Sequence, residues 1–263
     1  MKDLDAFLSS RLSRGRPSFT REDLLRALAA SSSTLTHSLS QLARKGRIAN
    51  PRPGFYLALA PEDKYNGAPD PTRWIGALMQ HQQTDYRISL LSAAEFHGAI
   101  NAAPAMQIIA PKPMKDFAIG RYRIEFQPMA PNAFARTNRA PWLTGIRTKA
   151  GEAKVAGIEL ALFDCAKWFH KAGGISQAAQ VARQLGSRAD PRRLASIARA
   201  CDNADVMRLG YLLELAGHEE QARALDAFAQ DARQKLLDPT STIDTGELSG
   251  RWKITLNTPP GRG

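Results

Sequence analysis

Apolar residues recur at helical spacing three times within the first 45 positions, and the pattern then changes to strand-like alternation. Leu4, Phe7, Leu8 and Leu12 make a first helical face. Arg11, Arg14, Gly15, Arg16 and Pro17 follow as a basic turn. Thr20, with Asp23 three positions on, reads as an N-cap opening a second helix through Leu24, Leu25 and Leu28. The run Ser31-Ser32-Ser33 predicts the cap of a third helix, whose Leu35, Leu39 and Leu42 must face inward. Gly46, after Arg44 and Lys45, reads as its stop. Next come Arg47-Ile48-Ala49, a tight turn Asn50-Pro51-Arg52-Pro53-Gly54, and the β-prone run Phe55 to Leu59. Three short helices followed by a hairpin predict a winged helix-turn-helix over residues 1–62.

Residues 61–72 hold three prolines and a glycine and read as a boundary. Beyond them the pattern is mixed. Trp74 to Met79 and Leu90 to Phe96 read as helices, the latter ending near Gly98. Met106–Ala110 and Tyr122–Phe126 read as strands, with further short ones at 146–149 and 154–155. From Ile158 the chain turns helical, with Ile158, Leu162, Cys165, Ala166 and Phe169 on one stripe and Gly173-Gly174 as its C-cap. Further helices are predicted near 176–185, 191–201, 204–216 and 219–236, and a last strand at 252–256. The expected fold is α+β: the winged helix-turn-helix, then a larger domain over 70–263. Within the latter, a small β-sheet occupies 70–156 and a helical half 157–263.

Charge sharpens this division. The net charge is +11, which points to a polyanionic partner. Residues 1–60 carry ten Lys and Arg against four Asp and Glu, whereas 61–263 carry 26 against 21. More than half of the excess therefore sits in under a quarter of the chain. On the third helix the outward positions are Thr34, Thr36, His37, Ser38, Ser40, Gln41 and Arg44, with no acid among them. Such a helix fits a major groove, where Ser, Thr, Gln and Arg donate to base edges or phosphates. The DNA-contacting set read from the sequence is Arg11, Arg14, Arg16, Ser33, Thr34, Thr36, His37, Ser40, Gln41, Arg44, Lys45 and Arg52. Of these, Arg11, Arg14, Arg16, Lys45 and Arg52 are expected to grip phosphates and so to position without specifying sequence. Thr34, Thr36, His37, Gln41 and Arg44 are expected to read the groove.

The chemistry of a catalyst is harder to find. The chain has no HExxH, paired CxxC, P-loop or GxGxxG pattern, and its five histidines are scattered. Cys165 and Cys201 suggest neither a disulfide framework nor a zinc site. Asp164, on an apolar helix, reads as a buried hydrogen-bonded acid. No enzyme, metal or cofactor is expected. Two alternatives stay open: a regulator whose second domain senses a ligand in a pocket, and a Mg-dependent nuclease using Glu152 and Lys154. The nuclease needs a second carboxylate, from Asp116 or Glu125. A basic stretch between 112 and 149, including Lys112, Lys115, Arg121, Arg123, Arg136, Arg139 and Arg147, reads as solvated surface, a partner interface or extra DNA contact. No apolar run approaches the roughly 18 residues that span a bilayer. The N-terminus lacks a signal-peptide stretch, so the cytoplasm is the expected compartment.

Several segments in order resemble the AbiEi family, antitoxins of abortive-infection (type IV) toxin–antitoxin systems. They are ARKGRI (43–48), GFYLA (54–58), SLLSAAEFHGA (89–99), MQIIAPKP (106–113), the run 155–185, RLGYLLELAG (208–217) and WKITLN (252–257). The resemblance implies a winged helix that binds inverted repeats in its own promoter and represses the operon. It also implies a C-terminal domain that counters a nucleotidyltransferase-like toxin encoded alongside. Carried over by position, the family's DNA-contacting parts fall on Thr34, Thr36, His37, Ser40, Gln41, Arg44, Lys45 and Arg52. The implied partners are double-stranded DNA and that toxin, with no membrane.

Overall fold

A computed structural model describes residues 2–28, 32–230 and 232–258. In chain order it runs α1 (Lys2–Ser13), β1 (Ser18–Thr20), α2 (Arg21–Leu28), α3 (Ser32–Arg44), β2 (Ile48–Arg52) and β3 (Phe55–Ala58). It continues through α4 (Ile75–His81), β4 (Arg87–Ile88), α5 (Leu90–Phe96), β5 (Met106–Ala110), β6 (Phe117–Ile119) and β7 (Tyr122–Pro128). Then come α6 (Pro131–Thr137), β8 (Leu143–Thr148), β9 (Gly151–Ala156), α7 (Ile158–Lys167), α8 (Gly174–Leu185) and α9 (Pro191–Ala198). The chain closes with α10 (Asn203–Leu215), α11 (Glu219–Arg223), α12 (Asp226–Ala229), β10 (Lys235–Leu236), β11 (Glu247–Ser249) and β12 (Ile254–Leu256). The mixture is α+β, with several small sheets. Two compact units share it, and the chain passes between them repeatedly. The first holds residues 1–86, 104–128 and 145–154; the second holds 87–103, 129–144 and 155–263.

In the first unit, α1, α2 and α3 close over a core of Leu4, Leu8, Phe19, Leu24, Leu35, Leu39, Leu42 and Ile48. Burying each such leucine contributes about 1.5–3 kcal/mol, so the leucine stripes decide where the helices sit. The caps decide where they begin and end. Thr20 and Asp23 exchange bonds at the start of α2, Asp23 N donating to Thr20 Oγ1 at 3.2 Å and Thr20 N to Asp23 Oδ2 at 2.9 Å. At the end of α3, Gly46 takes φ +61°. There Arg47 N donates to Leu42 O and Gly46 N to Ala43 O, the paired bonds of a Schellman stop. The expected Ser31 cap lies outside the described residues.

The hairpin is larger than the sequence pattern suggests. β1 pairs antiparallel with β3, Ser18 opposite Leu57 and Thr20 opposite Phe55, and β3 pairs with β2. The result is a three-stranded sheet in the order β1-β3-β2. Phe19 stacks on Tyr56 at 5.5 Å across it. Three residues are too few to show an alternating pattern, so β1 has no signature of its own.

The stretch 61–72 is packed structure. Two 3-10 turns, Pro61–Lys64 and Pro71–Arg73, flank a point where the backbone of Gly67 meets that of Gly120. A Cβ on Gly120 would lie 2.0 Å from Asn66 O, so only glycine allows this approach. Asp63 is buried and accepts from Ala60 N, and Trp74 Nε1 donates to Pro69 O. β5 pairs in parallel with β7, and β6 folds back on β7.

In the second unit, α7 is buried along most of its length, from Glu159 to Ala166, and α10 packs against it and against α8. Gly173 and Gly174 belong to the start of α8, not to the C-cap of the Ile158 helix. α7 stops at Lys167, a 3-10 turn Phe169–Lys171 follows, and Gly173 sits in the left-handed region at φ +81° as the α8 N-cap. The helix expected over 219–236 breaks into α11 and α12, and the chain then enters β10. β10 lies parallel to β12, and β11 antiparallel to it. Cys165 and Cys201 are free. Burial pushes the Cys201 thiol up to about 12 and that of Cys165 up as well, so both behave as small apolar groups. Among the described residues no helix is long and apolar enough to cross a membrane.

Candidate nucleic-acid interface

Helix α3 separates its two faces sharply. Leu35, Leu39 and Leu42 are buried, which turns Thr36, His37, Ser40, Arg44 and Lys45 to the exposed side, with Gln41 at the margin. Ser33 and Thr34 belong to the first turn, and their side chains lie outside the described residues. The exposed groups are loosely tied to one another. The Gln41 amide nitrogen lies 2.9 Å from His37 Nε2, and Ser40 Oγ donates to Thr36 O at 3.0 Å. Arg21 Nη2, from α2, donates to Thr36 Oγ1 at 2.9 Å. These are short, exposed, water-competent bonds that a base edge or a phosphate can replace at little cost. No carboxylate lies on the helix, so its face does not repel phosphate.

The five basic residues expected to grip phosphates divide in two. Arg14, Arg16 and Lys45 are exposed. Arg11 is not free: its guanidinium turns inward and donates to Ser18 O at the start of β1, and burial lowers its pKa. The signal for this was present, because Arg11 continues the Leu4–Leu8 stripe at i, i+4, i+7. Arg52 is engaged too. Its guanidinium lies 4.3 Å over the Phe117 ring and donates to Lys115 O. Phe117 is 65 positions away, so nothing near Arg52 announces it.

The alternative chemistries find less support. Lys154 pairs with Asp85, Glu125 with Arg123, and Asp116 Oδ1 accepts from Phe126 N. Among the described residues no group of three His, Cys, Asp or Glu side chains is placed to hold a metal ion. The first unit does hold a cleft of about 330 Å³ lined by Arg73, Gly76, Asp85, Tyr86, Glu152 and Lys154. Its Asp85 and Lys154 charges pair with each other. Burial pushes the Tyr86 hydroxyl up to about 12, so it stays protonated. Of the histidines, His81 and His218 reach backbone carbonyls, as does His97, whose pKa burial lowers. Asp164 is the buried, hydrogen-bonded acid expected. Its partner is Arg87, fully buried itself, an ion pair whose members lie 77 positions apart in the chain.

Residues 87–215 match the family model of the AbiEi antitoxin C-terminal domain. The fold is similar to the crystal structure of the RV2827C protein from Mycobacterium tuberculosis, with a TM-score of 0.66. That likeness covers 97% of this chain and 91% of the other at 16% identity, and at such identity it is a likeness of fold. No curated protein matches the sequence.

Proposed function

Because residues 87–215 make this chain a member of the AbiEi antitoxin family, we propose that it is a type IV antitoxin that also represses its own operon. In this reading residues 1–62 act as a winged helix-turn-helix and lay α3 in the major groove of inverted repeats upstream of the gene. The observation that carries it is the acid-free outer face of α3, opposite three buried leucines. Thr36, His37, Gln41 and Arg44 read base edges, with Thr34 assigned beside them by sequence position. Ser33, Ser40, Arg14, Arg16 and Lys45 hold phosphates. Arg11 and Arg52 leave the contact set, since each guanidinium is partly buried and held on a backbone carbonyl inside its own unit; Arg16 also reaches a carbonyl, through Nε to Lys149 O, but its side chain is exposed. Inverted repeats require two copies on the duplex.

Antitoxicity is assigned to the family-matched segment, which acts against a nucleotidyltransferase-like toxin encoded alongside. The two functions test separately. Purified protein should prefer its own upstream region over arbitrary duplex at physiological ionic strength; equal binding overturns the repressor half. Co-expression with the neighbouring toxin should relieve growth arrest; persistent arrest overturns the antitoxin half. Point variants suit this test better than truncation, because residues 104–128 and 145–154, inside the matched segment, belong to the first unit.

Gln41→Ala should weaken the preference at one base pair by roughly 1–3 kcal/mol and leave arbitrary DNA nearly unaffected. Competition titrations against single-base operator variants read this directly. A uniform loss across all positions would make Gln41 a phosphate contact instead.

A further inference from the structure

Within the first unit a segment from the middle of the chain meets the N-terminal basic turn. Residues 145–154 belong to that unit and carry the end of β8, the two-residue turn Lys149-Ala150 and the start of β9. Lys149 O accepts from Arg16 Nε at 3.4 Å. A Cβ on Gly15 would lie 2.7 Å from the Lys149 Cβ, so the two turns touch and Gly15, at φ +67°, makes room for the contact. The hairpin turn holds its shape through Thr148, whose Oγ1 accepts from Ala150 N at 3.2 Å and donates to Gly151 O at 3.0 Å.

The outcome is a cluster of like charges. Arg14, Arg16, Arg147 and Lys149 are all exposed. Among the described residues none of the four lies within salt-bridge distance of a carboxylate. Four other cations of the basic stretch are engaged: Arg123 with Glu125, Arg121 over Tyr122, Arg139 over Trp142, and Lys112 on Gln82 O. Adjacent uncompensated cations repel one another until a polyanion neutralises them. The regular phosphates of a duplex do this, and each neutralised phosphate releases counterions.

We propose that the tip of the β8–β9 hairpin, through Arg147 and Lys149, is a second phosphate-contacting element that extends the grip of Arg14 and Arg16 on duplex DNA. This rests on the DNA-binding reading above. It adds contacts that position the protein without reading bases.

The test uses the full chain, with its own upstream region and an arbitrary duplex of equal length, titrated over a range of salt. The double variant Arg147→Ala, Lys149→Ala should lower the slope of log affinity against log salt by about 0.9 per lost contact, about 1.8 in all. Affinity for both duplexes should fall in parallel, keeping their ratio. The charge-preserving Arg147→Lys, Lys149→Arg should retain the wild-type slope, which separates lost charge from lost fold. Arg183→Ala with Arg199→Ala, exposed cations of the second unit, should leave the slope unchanged. An unaltered slope in the first double variant, or an equal drop in the Arg183/Arg199 control, overturns the proposal while the parent reading stands. Wild-type protein that binds no duplex overturns both, and shows it before any variant is made.

Discussion

Replacing Asp164 with Ala should cost about 3–5 kcal/mol of stability, since it leaves a guanidinium buried without its counter-charge. Arg87 is fully buried, and its Nε and Nη2 donate to the two Asp164 oxygens at 2.9 and 2.8 Å. Ser89 Oγ donates to the same carboxylate at 2.6 Å, and Arg87 Nη1 reaches Thr137 Oγ1 at 3.4 Å. The Phe134 ring lies 5.5 Å from the guanidinium carbon. Both side chains are shut off from solvent, 0% and 4% exposed, so the charge has to be carried unpaired or the site has to open. Urea denaturation of the full chain, followed by far-UV circular dichroism, measures the loss. The double replacement Arg87→Met, Asp164→Leu should recover most of it, because removing both charges also removes the desolvation cost. A loss below about 1 kcal/mol for Asp164→Ala would mean that the pair is open to solvent. Arg87 is also the first residue of the family-matched segment, so this pair ties the start of that segment, on β4, to its central helix α7.

Trp252→Ala should have a comparable effect, about 3–5 kcal/mol, through the cavity it leaves. The side chain is fully buried, and it occupies the space a side chain on Gly210 would need: a Cβ there would lie 2.1 Å from the ring. Its Nε1 donates to Glu214 Oε2 at 2.6 Å. The neighbouring Arg251 binds Glu214, Glu219 and Asp226, and the hydrogen bonds it donates to Asp226 and Glu219 raise its pKa. One arginine and one tryptophan thus fasten the C-terminal strands to α10, α11 and α12, all beyond or at the end of the matched segment. Thermal unfolding of Trp252→Ala should show the loss, and Gly210→Val should reproduce it from the other side of the contact. A wild-type midpoint in either variant would refute this packing account.

These two sites differ from the α3 face in how far the sequence announces them. On α3 every requirement is local. Leu35, Leu39 and Leu42 share a face because 3.6 residues make a turn, and Gly46 ends the helix because it accepts a positive φ without strain. The Thr20–Asp23 exchange is equally local. Arg11 lay within reach of the same reasoning, since its place on the leucine stripe outweighs the habit of treating arginine as surface. Arg52 did not: its ring partner Phe117 is named by no nearby pattern. Helical periodicity also overreached at 219–236, where a turn at Leu225 splits the run and β10 forms only because β12 lies beside it. The prolines of 61–72 show a similar limit. They mark where the chain bends, and the same residues serve a tether or a packed turn.

The amino-acid order alone determined the three N-terminal helices, their inward leucines, the polar and acid-free outer face of α3, and the concentration of positive charge in the first sixty residues. Each of these depends on neighbours within one or two turns, where spacing and side-chain type suffice. Tertiary structure decided which arginines stay free, which charge Asp164 balances, that β1 becomes a third strand, and that residues 145–154 meet the turn at Gly15. Those outcomes depend on pairs far apart in the chain, and their free energy exists only once the intervening segments have folded to bring the partners within bonding distance.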